Sequence, residues 1–300
     1  MSIQNVIAVI FDCDDTLCGD TITYLLTSCG INAKSFWNEV DDEVQTGADP
    51  PLAYMYKITE LVESGEMPGL NNAKLREIGS QLEFFPGIPE VFEELPKFVN
   101  DRSKFVDAGV CLEFYIVTGG FEEMVKGSRV AKYMTDIFGC TFDEDPETGL
   151  LCRPKSVITF TEKTKFIFAI NKGISSIELR RDPYRVNDSL GEEDRRIPFQ
   201  NMIYLGDGPS DIPCFSLIKE LGTEKGSIGH VIGVYGRGKS RRGYELAQGR
   251  RITLGPYSAN YTPDSDLRKC LEANIADIGR QIVEKRKKTF RLSVRHAMDF

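Results

Sequence analysis

Four short apolar runs stand out from a chain otherwise patterned for helices: Val6–Phe11, Leu112–Val117, Met202–Leu205 and His230–Val234. Each is too short for a helix and none alternates with polar residues, which predicts strands buried on both faces. Helical spacing lies between them, over 89–108, 121–134, 163–172 and 211–221. Strands alternating with helices predict an α/β fold, a Rossmann-like parallel sheet covered on both sides.

About 100 residues separate the first strand from the second, where a crossover needs roughly a dozen. Helical patterns fill the interval at 20–29, 34–45, 51–63 and 71–81, broken at Gly30, Gly47–Pro51 and Gly65–Gly69. This predicts a helical cap domain over 18–83, inserted into a core of 1–17 and 84–300, with Phe84-Phe85-Pro86-Gly87 returning the chain. Asp143–Gly149 is turn-rich and should join two short strands. Arg180–Pro198 is charged, lacks core formers and should be an exposed loop. No internal repeat is present.

Composition narrows the class. In 300 residues, 41% apolar content supports a real core, and 27% charged is ordinary, so disordered and collagen-like chains are excluded. No stretch approaches the ~20 apolar residues of a spanning helix. The opening MSIQNVIAVIFDCDD lacks a basic start and a small-residue cleavage site, so a strand in a cytoplasmic protein is expected rather than a signal peptide. Eight scattered cysteines without a CxxC pair fit reduced thiols, and two histidines are too few for the usual zinc cluster. The net charge is −8, yet residues 235–300 carry 15 Lys/Arg against 7 Asp/Glu. Leu267, Leu271, Ile275, Ile278 and Ile282 recur there at helical spacing, so the charge is expected to be the wet face of a packed helix; no nucleic-acid partner is expected.

The chemistry gathers at strand ends. Asp12-Cys13-Asp14-Asp15-Thr16 follows the first strand, Thr118-Gly119-Gly120 the second, and Gly206-Asp207-Gly208-Pro209-Ser210-Asp211 the third. Ligands of open parallel sheets bind outside the carboxyl ends of the strands, so these groups should converge. Several carboxylates in one place need a counter-charge, and Mg²⁺ suits one or two carboxylates plus a substrate phosphate. The Thr118 hydroxyl and the amides beside Gly119 could hold phosphate oxygens.

With a lysine at a helix start, Lys163 or Lys165, these segments make four motifs in order: Asp12-x-Asp14-x-Thr16, Thr118, the lysine, and Gly206-Asp207-Gly208-x-x-Asp211. The arrangement resembles the haloacid dehalogenase (HAD) superfamily of aspartate-nucleophile phosphohydrolases, and the placement of the helical insertion resembles its phosphoserine-phosphatase-like branch. The resemblance implies a Mg²⁺-dependent phosphatase acting on a small phosphate monoester through an aspartyl-phosphate. Asp12 would be the nucleophile and Asp14 the acid and base. Asp12 and Asp207 would hold the metal by side chain and Asp14 by its backbone carbonyl. Thr118, Gly119 and the lysine would bind phosphate; Asp211 would hold the lysine or a water beside the metal, and Thr16 would shape the loop. Like-charge repulsion between unit charges on carboxylate and phosphate amounts to about 4 kcal/mol at 4 Å with an effective dielectric near 20, which the cations must offset. Dehalogenases and phosphonatases of the superfamily lack an acid at the position of Asp14, so a phosphate ester fits better. Lys163 is preferred as nearer the helix start.

Other readings stay open. A phosphotransferase or phosphomutase would use the same core. Gly233–Ser240 fits GxxxxGK[ST], a nucleotide phosphate loop, although Arg241-Arg242-Gly243 predicts no firm helix after it. Where phosphoserine phosphatases carry a cap glutamate and arginine, only Asp20 and Lys57 are candidates. Phe36, Trp37, Tyr54 and Tyr56 are expected in the core more than around a leaving group. Asp15 and Asp20 read as surface acids, His230 and His296 as structural. Oligomeric state is not legible.

Overall fold

The computed structural model describes residues 4–223 and 230–298, with side chains to residue 289; His296 lies outside those side chains. Among the described residues, seven strands form one sheet in the order β4-β3-β2-β1-β5-β6-β7. They are β1 (Val6–Phe11), β2 (Cys111–Phe121), β3 (Asp136–Glu144), β4 (Leu151–Ser156), β5 (Met202–Gly206), β6 (His230–Tyr235) and β7 (Leu254–Ser258). All pair in parallel except β4, which returns antiparallel from β3 across the Asp143–Gly149 turn.

β1 is central and buried throughout. Its alternate residues feed two cores. Ala8 and Ile10 pack into one hydrophobic cluster. Ile7, Val9 and Phe11 pack into the other, with Leu267, Leu271, Ile275, Ile278 and Ile282 of the C-terminal helix. A strand buried on both faces has no polar side to alternate with, hence its unbroken apolar run. The chain builds outward from β1 to β4 on one side, then crosses to β5 on the other. That reversal makes the carboxyl end of β1 the switch point of the sheet.

The segment between β1 and β2 opens with four helices, α1 (Thr21–Ser28), α2 (Ala33–Gln45), α3 (Pro50–Glu63) and α4 (Asn72–Gly79), and ends with α5 (Glu90–Asn100) and α6 (Ser103–Asp107). Asp20, Asn32 and Asn71 cap α1, α2 and α4 by accepting from backbone N–H groups two or three residues into the helix. The insertion leaves and re-enters at one place: Cys18 bridges to both Asp14 and Phe84, and Phe85 N–H donates to Leu17 O at 2.9 Å. Phe36 and Tyr54 are buried, in keeping with a packing role, whereas Tyr56 is exposed.

Several expectations need correction. The second strand does not end at Val117; β2 runs on through Thr118-Gly119-Gly120 to Phe121, with a register shift against β3 that lets the glycines bend it. The helix expected over 121–134 stops at Gly127 (α7, Glu122–Gly127), and the one over 89–108 is two helices broken at Asp101–Arg102. The loop expected over 180–198 begins as the end of α9 (Ser176–Arg181) and a 3-10 turn, Pro183–Asn187, before becoming irregular. β7 was not foreseen, because Gly255 and Pro256 interrupt it; an edge strand tolerates both. The remaining helices are α8 (Glu162–Lys172), α10 (Ile212–Leu221), α11 (Ser240–Gln248) and α12 (Asp266–Met298). α11 contradicts the expectation that no helix starts beside Lys239. Among the described residues, no helix is long and apolar enough to cross a membrane.

His230, at the start of β6, is buried with Nδ1 2.5 Å from Asn274 Oδ1 of α12. Burial pushes its pKa below the ordinary value, against the opposing pull of Asn274 and Asp277. An unfolded histidine titrates near ~6.5. The neutral ring's contribution is therefore whole above that pH and is lost as pH falls through the lower folded value. Denaturant midpoints measured from about pH 7.5 to about pH 5 should fall less steeply for His230→Gln than for the wild type; identical slopes would remove His230 from the acid response.

Candidate active site

Asp12 follows β1 directly, and its backbone continues the sheet by donating to Leu205 O at 2.9 Å. Its Oδ1 accepts from Cys13 N–H at 2.8 Å and lies 3.0 Å from Lys163 Nζ. Lys163, in the first turn of α8, also donates to Asp211 Oδ1 at 2.8 Å. Asp12, Lys163 and Asp211 are all buried. Lys165 pairs instead with Glu162 at 3.3 Å and lies over the Phe166 ring.

Asp211 is held from four directions. Its Oδ1 takes the Lys163 ammonium and the Tyr204 hydroxyl, each at 2.8 Å, and its Oδ2 takes the N–H groups of Asp207 and Gly208, each at 3.2 Å. It does not cap α10 with its side chain; it clamps the loop behind it. Gly206 is obligatory here, since a Cβ would sit 2.5 Å from the Asp211 carboxylate. The clamp presents Asp207, and one oxygen each of Asp12, Asp207 and Asp211 fall within 4.8 Å of one another.

Asp14 turns the other way. Its Oδ1 accepts from Thr21 N–H at 2.8 Å, tying it to the first turn of α1. Thr118 is fully buried, and its Oγ1 accepts from Gly120 N–H at 2.9 Å. A Cβ on Gly120 would meet Thr21 Oγ1 at 2.9 Å and Asp14 Oδ2 at 3.3 Å, so the glycine lets the β2 segment close on Asp14. Gly119 lies on the same bend; its carbonyl accepts from the Tyr54 hydroxyl of α3 at 2.5 Å. Thr16 is buried, and its carbonyl accepts from the Tyr261 hydroxyl at 2.9 Å.

Three contacts escaped sequence reasoning. Tyr204 buttresses Asp211 from within β5. Arg242 of α11 approaches Asp207 Oδ2 at 3.4 Å. Lys239, just before α11, pairs with Asp15, which is buried and left-handed at φ 55° rather than a surface acid. The lysine of the apparent phosphate loop is thus engaged by a carboxylate, and Gly233 lies inside β6. Asp20 caps α1 and Lys57 pairs with Glu39 at 2.6 Å.

The electrostatics are lopsided. Burial pushes Asp12 up, Asp211 adds to the rise, and Lys163 opposes it. Burial likewise raises Asp14, with Asp20 and Asp12 contributing. Asp207 is pushed up to about 8 by burial and by Asp211, Asp12 and Asp15, with Arg242 opposing. Burial works against the charge on Lys163, but Asp12 and Asp211 outweigh it and hold its pKa above the ordinary value. One buried ammonium serves both Asp12 and Asp211, and Asp211 has three further donors. The donor set is all oxygen and short of positive charge. With Asp211 filled by four donors, Asp12 and Asp207 remain as ligands, which fits a small hard divalent cation.

No protein-family model matches the chain. A curated protein of Borreliella burgdorferi, described as uncharacterized, is 29% identical over 239 residues, covering 73% of this chain and 80% of the relative. Among solved structures, the chain is similar to a HAD family hydrolase of Salmonella enterica serovar Typhi (TM-score 0.51, 15% identity, 85% of this chain and 68% of that one). It is similar also to a phospho-aspartyl intermediate analogue of phosphoserine phosphatase (TM-score 0.51, 13% identity, 90% and 99%). A probable phosphoserine phosphatase of Vibrio cholerae gives TM-score 0.51 at 11% identity over 93% and 68%. These likenesses show the fold: the chain has the haloacid dehalogenase fold in its phosphoserine-phosphatase-like form.

Tyr204→Phe removes one of four donors to Asp211 without touching the others. Stability should fall by about 1.5–3 kcal/mol, the cost of losing a hydrogen bond to a charged group. Chemical denaturation checks it; an unchanged midpoint would show that the hydroxyl adds nothing.

Proposed function

We propose that the protein is a Mg²⁺-dependent phosphatase that hydrolyses a small phosphate monoester through an aspartyl-phosphate on Asp12. The observation that carries this reading is the buried Lys163 ammonium, 3.0 Å from Asp12 and 2.8 Å from Asp211, with Asp207 in the same cluster. The fold it shares with the phospho-aspartyl intermediate analogue of phosphoserine phosphatase supports it.

In this reading, Asp12 and Asp207 would hold Mg²⁺ by side chain and Asp14 by its backbone carbonyl. When bound, Mg²⁺ neutralises charge on the phosphate and the carboxylates. Asp12 attacks phosphorus with one carboxylate oxygen, and the ester oxygen leaves as the bond to it breaks. Asp14, held by Thr21 N–H, gives its proton to that leaving oxygen. It then takes a proton from the water that attacks the acyl phosphate, releasing phosphate and restoring Asp12. The raised pKa of Asp14 suits a group that must begin protonated. Thr118, the Gly119 amide and Lys163 bind the phosphate oxygens. Asp211 positions Lys163 and the Asp207 loop. Residues 18–83 act as a cap over a core of 1–17 and 84–300, and Tyr54, reaching Gly119, couples the two.

Phosphate release from a panel of phosphate monoesters with Mg²⁺ tests the reading. Asp12→Asn should lower turnover by about 10³-fold or more. Asp14→Asn should lower it by about 10²–10⁴-fold. Chelation should abolish activity and Mg²⁺ restore it. Wild-type activity in Asp12→Asn would overturn the nucleophile, and full activity after chelation would overturn the metal role.

A further inference from the structure

We infer that Cys13, Cys18 and Asp14 form a second cation site, selective for a thiophilic ion such as Zn²⁺, that switches off the chemistry above. Its inhibitory consequence rests on the proposed function; its existence does not. The two sulfurs lie 3.7 Å apart, and both fall within 4.8 Å of an Asp14 carboxylate oxygen. Two thiolates each about 2.3 Å from one tetrahedral zinc stand about 3.8 Å apart, so the sulfurs are already at the spacing the ion requires.

The turn creates this spacing. Asp15 adopts its left-handed conformation between the cysteines, and Leu17 and Cys18 N–H groups fold back on Cys13 O at 2.8 and 3.3 Å. Both cysteines are buried, so the site is rigid rather than assembled from mobile thiols. Access exists nonetheless. Cys18 lines a cleft of about 610 Å³ between the insertion and the core, which also touches Asp20, Tyr24, Arg237 and Asn260.

Ligand chemistry keeps the two sites apart. Thiolates select Zn²⁺ and similar ions, whereas Mg²⁺ prefers the oxygen-only cluster of Asp12 and Asp207. Binding deprotonates both thiols and releases their protons to solvent. Asp14 then gives its lone pair to the ion and can no longer carry a proton. Cys13 N–H also holds Asp12 Oδ1, so the ion clamps both working carboxylates through one turn.

The test uses the full chain, a non-thiol reductant throughout, and Cd²⁺ as the spectroscopic probe. Cd²⁺ should give a thiolate-to-metal absorption band that saturates at one equivalent and is displaced by Zn²⁺. Cys18→Ala should lose that band while keeping the wild-type circular dichroism. X-ray absorption of the zinc-loaded wild type needs no variant and should find two sulfurs at about 2.3 Å with oxygen completing the shell. In the phosphate-release assay at saturating Mg²⁺, Zn²⁺ should inhibit the wild type roughly tenfold or more better than Cys18→Ala, and a zinc-selective chelator that leaves Mg²⁺ in excess should reverse it. An undiminished Cd²⁺ band in Cys18→Ala, an all-oxygen zinc shell, or equal inhibition of both proteins would overturn the site. A chain without phosphatase activity that still binds Cd²⁺ through two sulfurs would uphold the site and overturn the function proposed above.

Discussion

The buried Lys163 ammonium, shared between Asp12 and Asp211, is the contact on which the rest of the site depends. A lone ammonium or carboxylate at this depth would be strongly disfavoured, and removing one partner of such a pair costs about 3–5 kcal/mol. The contact is therefore also a fold constraint. It ties the start of α8 to the ends of β1 and β5, three segments distant in sequence. Yet one cation serves Asp12 and Asp211 together, and Asp12 and Asp207 are raised first by burial and then by the neighbouring carboxylates. Burial and mutual repulsion disfavour the charged carboxylates here, and a divalent cation would favour them.

Backbone architecture delivers these groups without strain in most places. β1 reverses the order of the sheet, so the loops after β1, β2 and β5 meet at one edge. Where close approach is needed, glycine supplies it: Gly206 makes room for the Asp211 carboxylate and Gly120 for Asp14 and Thr21. Asp15 is the exception, a non-glycine residue at φ 55° whose side chain pairs with Lys239. That turn sets the registry of Asp12, Asp14 and the two cysteines at once.

Much of this was legible in the chain because it depends on local pattern. Val6–Phe11 could only be a doubly buried strand, and a polar residue directly after such a strand is placed by the sheet itself. The groups that escaped depend on long-range pairing. Tyr204 reads as one more apolar strand residue until β5 faces α10 and its hydroxyl meets Asp211. Asp15 and Lys239 stand 224 positions apart, and each read locally as something else, a surface acid and a phosphate-loop lysine. β7 was hidden by the breakers Gly255 and Pro256, which only an edge position accommodates. The Cys13–Cys18 spacing carries no familiar signature, because the fold-back at Asp15 brings the thiols together.

In the proposed reaction, a single oxygen of Asp12 takes the phosphoryl group while the surrounding cations balance its charge. Rapid quenching of the turning-over protein, borohydride reduction and peptide mass spectrometry test it directly, since reduction converts an aspartyl-phosphate to homoserine. Homoserine is expected at position 12, dependent on both substrate and Mg²⁺. Sustained phosphate release with position 12 unmodified, or with the mark on another residue, would contradict it.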